Sequence, residues 1–242
     1  MLSAMRVLRG GAGGPTVLML HGLGATADVW AGVAAHLPGA WTAPDLPGHG
    51  ATAPLPAYTF AAVADAVADL VDPAGTVVLG HSFGGVVGLH LAARPGVIAV
   101  IGLGIKVVWS AEELARAAAM AQRPPMRFAT REEAVERHLK VAGLTGLVAP
   151  ATVEAGVVRD GDGWCTALDP TAFGVGEPGV SALVTASPVP VVLARGERDP
   201  MVAAEQLRAI VPDPVELPGL GHNAHVEDPA AVALLTCRQI PA

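Results

Sequence analysis

The densest run of chemistry-bearing residues is Gly80-His81-Ser82-Phe83-Gly84-Gly85. An apolar run precedes it and a helical pattern follows it, the context a Gly-x-Ser-x-Gly nucleophile elbow requires. Small residues beside the serine let strand and helix approach each other, and the tight turn pushes the hydroxyl out of the sheet. The amide of Phe83, at the helix start, then points at the same place. A serine hydroxyl is a poor nucleophile near neutral pH and needs a base. Among eight histidines, His222 stands in Gly219-Leu220-Gly221-His222-Asn223-Ala224-His225, a loop after the last strand-like run that can carry an imidazole over the serine. His36 and His138 fall on helical stretches, His81 in the elbow and His90 in the helix behind it. His225, near the final helix, reads as structural. The base needs a carboxylate to hold its tautomer and offset its charge. Asp199, in Arg195-Gly196-Glu197-Arg198-Asp199-Pro200, directly follows a strand. Glu197 competes with it and reads as a solvated turn charge paired with Arg195 or Arg198. Ser82, Asp199 and His222 thus come in that order along the chain, each in a loop after a strand.

Acyl transfer also needs donors for an oxyanion. His21-Gly22-Leu23-Gly24 follows the first clear strand, and the amide of Leu23 can pair with that of Phe83. The rival reading takes Gly22-x-Gly24-x-x-Ala27, with Asp45 further on, as a dinucleotide fingerprint. It leaves Gly80 to Gly85, Asp199 and His222 unexplained. No His-Glu-x-x-His or paired-cysteine spacing occurs, so no metal is indicated, and the proposed chemistry needs no cofactor.

The elements that must position these groups follow from periodicity. Apolar runs at Thr16–Leu20, Trp41–Pro44, Thr76–Leu79, Val97–Leu103, Val189–Ala194 and Val215–Leu217 read as strands. Helical patterns fall at Asp28–Leu37, Phe60–Val71, Gly84–Ala93, Val202–Val211 and Pro229–Ile240. The alternation predicts an α/β fold, a mostly parallel central sheet with helices on both faces. It breaks between about Lys106 and Ser187, where Ala111–Gln122, Arg131–Val141 and Thr152–Arg159 read as helices. The simplest division is one core domain, residues 1–105 and 187–242, with a helical lid insertion at 106–186. Such an insertion at the carboxyl ends of the strands lies over the site.

Composition narrows the class. The chain has 242 residues, 52% of them hydrophobic and 15% charged, with a formal net charge of −7. The low charge argues against disorder, and the negative balance against a nonspecific grip on nucleic acid. Cys165 and Cys237 are too few for a disulfide framework and are expected as reduced thiols. Met1 to Gly11 has no apolar core of the kind a signal peptide needs, and Val97 to Ile105 is too short to span a bilayer. A cytoplasmic protein that does not enter membranes is expected.

These residues resemble the α/β-hydrolase superfamily. The matching features run from His21 to Pro229: His21-Gly22-Leu23-Gly24, Asp45-Leu46-Pro47-Gly48-His49-Gly50, the elbow, Gly196-Glu197-Arg198-Asp199, and Gly221-His222 with Glu227-Asp228-Pro229 behind it. The resemblance implies that Ser82 is nucleophile, Asp199 acid and His222 base, that Leu23 and Phe83 supply the oxyanion amides, and that Asp45 and His49 support the site without reacting. The short lead before Thr16 implies that a leading strand is missing or reduced. A lipase-like glycine run is absent after His21-Gly22, and Ser rather than Asp at position 82 disfavours haloalkane dehalogenation.

The insertion must roof the pocket. Its large apolar residues include Met120, Phe128, Leu144, Leu147 and Phe173, and Trp109, Met126 and Trp164 are taken as substrate-binding. Glu136 and Lys140 are spaced to pair on a solvated helix face, and an inward arginine there could hold a carboxylate. The expected function is a serine hydrolase of small carboxylic esters, lactones or related acyl compounds, acting on a small-molecule acyl substrate. The alternatives are a hydrolase of carbon–carbon bonds in ring-cleavage products, which His81 before the serine weakens, and a slow-turnover small-molecule receptor on the same fold.

Overall fold

The computed structural model describes residues 5–240. Seven strands form the main sheet: β1 (Val7–Gly10), β2 (Thr16–Leu20), β3 (Trp41–Pro44), β4 (Thr76–His81), β5 (Val97–Leu103), β9 (Val191–Gly196) and β10 (Val215–Leu217). Their order is β1-β3-β2-β4-β5-β9-β10. All neighbours run parallel except β1, which pairs antiparallel with β3 at one edge. This short strand is the leading element that the sequence implied to be missing or reduced. The order reverses around β2 and β4, so the loops leaving those adjacent strands meet at the crevice where open α/β sheets bind ligands.

The strands are apolar on both faces because both are covered. Leu18, Leu20, Val78 and Val100 face one way, toward Val63 and Val67 of α2 (Phe60–Val67), Val86 and Val87 of α3 (Phe83–Leu91), Val180 of α6 (Val180–Ala186) and Leu207 of α7 (Ala204–Arg208). Val17, Met19, Val77, Leu79 and Ile101 face the other way, toward Trp30, Val33 of α1 (Ala31–Ala34), and Val232 and Leu235 of α8 (Pro229–Cys237). Successive residues pointing to opposite faces place both cores in one chain pattern. Several helices are shorter than periodicity predicts. The stretch 27–37 is a 3-10 turn, Ala27–Trp30, running into the single turn of α1, and 202–211 holds only α7.

The insertion lies between β5 and β9. It holds α4 (Ala111–Ala121) and α5 (Arg131–Val141), each opened by a capping box, Ser110 with Glu113 and Thr130 with Glu133. Such reciprocal bonds satisfy orphan amides of the first turn. The third expected helix, Thr152–Arg159, is not there. A turn at Pro150–Thr152 leads into β7 (Val157–Asp160), which pairs antiparallel with β8 (Gly163–Thr166), and β8 pairs with β6 (Arg127–Phe128). The insertion is therefore mixed rather than helical. Gly161 at φ +59° makes the turn, and Val157, Val158, Trp164 and Thr166 suit strands better than a helix. Its own small core gathers Val135, Leu139, Leu144 and Val157, with Phe128 and Trp164 packed on it.

The insertion touches the core at the carboxyl ends of the strands. Asp169 N donates to Gly48 O at 2.7 Å and Gly50 N to Ala167 O at 2.8 Å. Asn223 Nδ2 donates to Gly143 O at 2.9 Å. Among the described residues Glu136 and Lys140 are exposed and form no ion pair, and Arg131 donates to the Val153 carbonyl. Among the described residues, no helix is long and apolar enough to cross a membrane. Cys165 and Cys237 are not bonded to each other.

Candidate active site

Ser82 sits between β4 and α3 at φ 49°, ψ −112°, the only non-glycine with positive φ among the described residues. Such a backbone costs on the order of 1–3 kcal/mol and persists only where its surroundings enforce it. They do so here by close approach. A Cβ on Gly84 would overlap the carbonyl oxygens of Leu20 and His21, and one on Gly22 would stand 2.7 Å from His81 Nδ1 and 3.6 Å from Ser82 Cβ. Replacing Gly84 by alanine should therefore cost about 3 kcal/mol or more, the upper range for overpacking against backbone. Urea unfolding checks it; a loss under about 0.5 kcal/mol would refute the close approach.

The contact of Gly22 with the elbow brings the loop after β2 beside Ser82. Phe83 is the first residue of α3, so its amide has no partner within its own helix. Among the described residues neither its amide nor that of Leu23 is taken by a turn or loop carbonyl. Ser82 is partly exposed while His81 and Phe83 are buried. Two loops further along the sheet, after β9 and β10, Asp199 and His222 meet: His222 Nδ1 lies 2.8 Å from Asp199 Oδ2. Asp199 is buried, and its other oxygen accepts from Met201 N at 2.8 Å. Nδ1–H donating to the carboxylate leaves Nε2 bare, the tautomer a general base needs. No hydrogen bond joins Ser82 Oγ to the imidazole here; in unliganded sites such bonds are often long.

Other residues hold the loops. His21 is wholly buried; its Nδ1–H donates to Gly22 O at 2.9 Å while Nε2 accepts from Leu46 N at 2.9 Å. Burial, with His49 nearby, pushes its pKa well below the ordinary histidine value. Asp45 accepts from Ala27 N at 2.8 Å, Ala51 N at 3.1 Å and Arg6 at 3.0 Å. These contacts occupy the carboxylate that a ribose would need. His225, 1% exposed, packs its ring against Trp30 and His81, with centroids 4.6 and 4.3 Å away. Glu227 Oε2 accepts from Gly221 N at 2.7 Å, shaping the His222 loop from behind. Among the described residues, no cluster of three His, Cys, Asp or Glu side chains could hold a metal ion.

Two residues escaped the sequence reading. Arg195, 8% exposed, donates to the carbonyls of Val202 at 2.7 Å, Glu197 at 2.8 Å and Asp199 at 3.3 Å and pairs with Glu216. It braces the loop that carries Asp199. A charge ending an otherwise apolar strand was the available signal. Glu197 does not pair with either arginine's side chain; its carboxylate accepts from Gly219 N at 2.6 Å. The second residue is His81, whose Nε2 lies 2.9 Å from His222 O.

Of the insertion residues taken for substrate, Trp109 donates from Nε1 to Lys106 O at 2.9 Å with Lys106 over its ring. Met126 is 53% exposed, and Trp164 is engaged in the insertion's own core with Arg159 across its ring. Two hollows are formed elsewhere, one of about 360 Å³ beside β7 and β8 and one of about 450 Å³ between α5 and α1. None of Ser82, Asp199 and His222 lines either of them.

The chain matches the Alpha/beta hydrolase family model over residues 17–234 and belongs to that family. Lipase LipV of Mycobacterium tuberculosis is 42% identical over 107 residues, 42% of this chain and 41% of that protein. A pimeloyl-acyl-carrier-protein methyl ester esterase of Chromobacterium violaceum is 45% identical over 86 residues, 34% of this chain and 32% of that protein. The matched stretches thus span less than half the length of these curated relatives. The crystal structure of E-2-(acetamidomethylene)succinate hydrolase superposes with a TM-score of 0.79 at 22% identity, over 97% of this chain and 94% of that one. The thioesterase domain from the curacin biosynthetic pathway gives 0.77 at 19%, over 97% and 100%. At such identities the likeness establishes the fold.

Proposed function

We propose that the protein is a serine hydrolase that cleaves a small carboxylic ester, lactone or related acyl compound through an acyl-enzyme on Ser82. The observation that carries this reading is the strained serine at the end of β4, near the amides of Leu23 and Phe83, which no turn or loop carbonyl among the described residues takes, with a buried carboxylate holding an imidazole two loops away. His222 Nε2 takes the Ser82 proton as Oγ attacks the carbonyl. The amides of Leu23 and Phe83 donate to the oxyanion, and Asp199 offsets the imidazolium charge. The proton passes to the leaving alcohol oxygen as the C–O bond breaks. Water, deprotonated by His222, then attacks the acyl carbon; the proton returns to Ser82 and the acid leaves. The esterase and lipase names of the relatives support this class of substrate.

The insertion serves as the lid of the site. Of the three insertion residues proposed to meet substrate, Trp109 is on the segment that leaves β5 beside His222, where a Cβ added at Gly104 would stand 3.4 Å from the His222 ring. Nothing comparable supports Met126 or Trp164. A fluorophosphonate probe tests the nucleophile: one label per chain on Ser82 is expected, with turnover of esters, lactones or thioesters in a substrate panel. Stoichiometric labelling that survives Ser82→Ala would overturn the reading. A burst that stops after one equivalent would mark a receptor rather than an enzyme.

A further inference from the structure

We infer that His81, the residue directly before the nucleophile, is a positioning residue that ties the base loop to the elbow through a hydrogen bond from its Nε2–H to the main-chain carbonyl of His222. The inference rests on the triad reading above. The two atoms lie 2.9 Å apart across 141 positions of sequence. A carbonyl oxygen only accepts, so the imidazole proton sits on Nε2. Burial keeps this ring neutral, leaving it one N–H to give.

The side chain of His222 is tethered at one point, Nδ1 on Asp199. A ring held at one atom can still swing its other nitrogen, and the distance from Nε2 to Ser82 Oγ is what the proton transfer depends on. The bond from His81 acts one step back, holding the main chain from which that ring hangs. Because His81 and Ser82 are consecutive, the His222 backbone cannot drift from the nucleophile without stretching this bond. His81 is itself confined, by the His225 ring at 4.3 Å and by Gly22 at its Nδ1 edge. A displacement of about 1 Å in such a site costs on the order of 10²-fold in rate. A purely space-filling residue would act differently: any side chain of similar volume would serve, whether or not it could donate.

His81→Met and His81→Gln separate the two, since both fill similar space and only glutamine can donate. Measured on an activated ester beside Ser82→Ala, the methionine variant should lose on the order of 10- to 100-fold in kcat with KM within about threefold, and glutamine should recover kcat to within about fivefold of wild type. Equal kcat in wild type and both variants, or equal losses in both, overturns the role of His81 and leaves the triad standing. Full turnover by Ser82→Ala overturns the triad reading instead. If the methionine variant does not fold, ¹⁵N–¹H correlation of the histidine rings in the wild-type protein decides. A slowly exchanging Nε2–H on His81 is expected, and a ring protonated at Nδ1 alone overturns the proposal.

Discussion

Replacing Asp199 by asparagine should lower kcat on an activated ester by roughly 10²- to 10⁴-fold with little change in KM, the cost of a wrong tautomer in a serine triad. The geometry states why the amide fails. Asp199 Oδ1 accepts from Met201 N at 2.8 Å, and Oδ2 accepts from His222 Nδ1 at 2.8 Å. Asparagine has one oxygen, and the Met201 amide claims it. The NH₂ group must then face His222, where it donates to Nδ1 and drives the ring proton onto Nε2. The imidazole can no longer accept from Ser82. Glu197→Gln should change kcat by less than about threefold, because an exposed carboxylate contributes little and glutamine can still accept from Gly219 N. Initial rates for both variants, with circular dichroism to confirm folding, decide the matter. Near wild-type turnover in Asp199→Asn with collapse in Glu197→Gln would make Glu197 the acid.

Acidification from pH 7 to pH 5 should remove about 5 kcal/mol or more of stability, from histidines alone. His49 and His138 are pushed down to about 4 and His225 to about 3, in each case chiefly by burial, and His21 and His81 lie well below the ordinary value for the same reason. In the unfolded chain all five titrate near 6.5. Below that pH the unfolded state binds protons that the native state does not. Stability is therefore whole above about pH 6.5 and falls as pH drops toward each native pKa, at about 1.4 kcal/mol per unit for each ring. Summed to pH 5, His49, His138 and His225 contribute about 2 kcal/mol each, a large share of the stability of an ordinary domain, and His21 and His81 act in the same direction. Urea unfolding at pH 7, 6 and 5 measures it. Stability flat over that interval would mean the rings are not held neutral and buried.

The alternation of strand and helix was legible because each element is encoded within a few residues. Thr16–Leu20 and Trp41–Pro44 are strands over the predicted spans, and α5 occupies Arg131–Val141 as predicted. The failures have equally local causes. The stretch Thr152–Arg159 carries a helical pattern, yet its end is a strand, because the Asp160-Gly161-Asp162-Gly163 turn, with Gly161 at positive φ, folds Val157–Asp160 back on Gly163–Thr166.

The sequence by itself determined the parallel sheet, the elbow, and the order in which a serine, a carboxylate and an imidazole leave its strands. Residue type and short-range periodicity carry that information, since they act over one turn or one strand. Only the tertiary structure decided which partners those residues meet. That His222 takes the Asp199 carboxylate, that Glu197 turns to the Gly219 amide, and that Arg195 gathers three carbonyls depend on loops brought together at the carboxyl ends of two neighbouring parallel strands. The contact of His81 with His222 is the extreme case. Nothing within the elbow marks its imidazole as a donor to a residue 141 positions away, because that acceptor exists only once β10 has docked at the sheet edge and laid its loop beside His81.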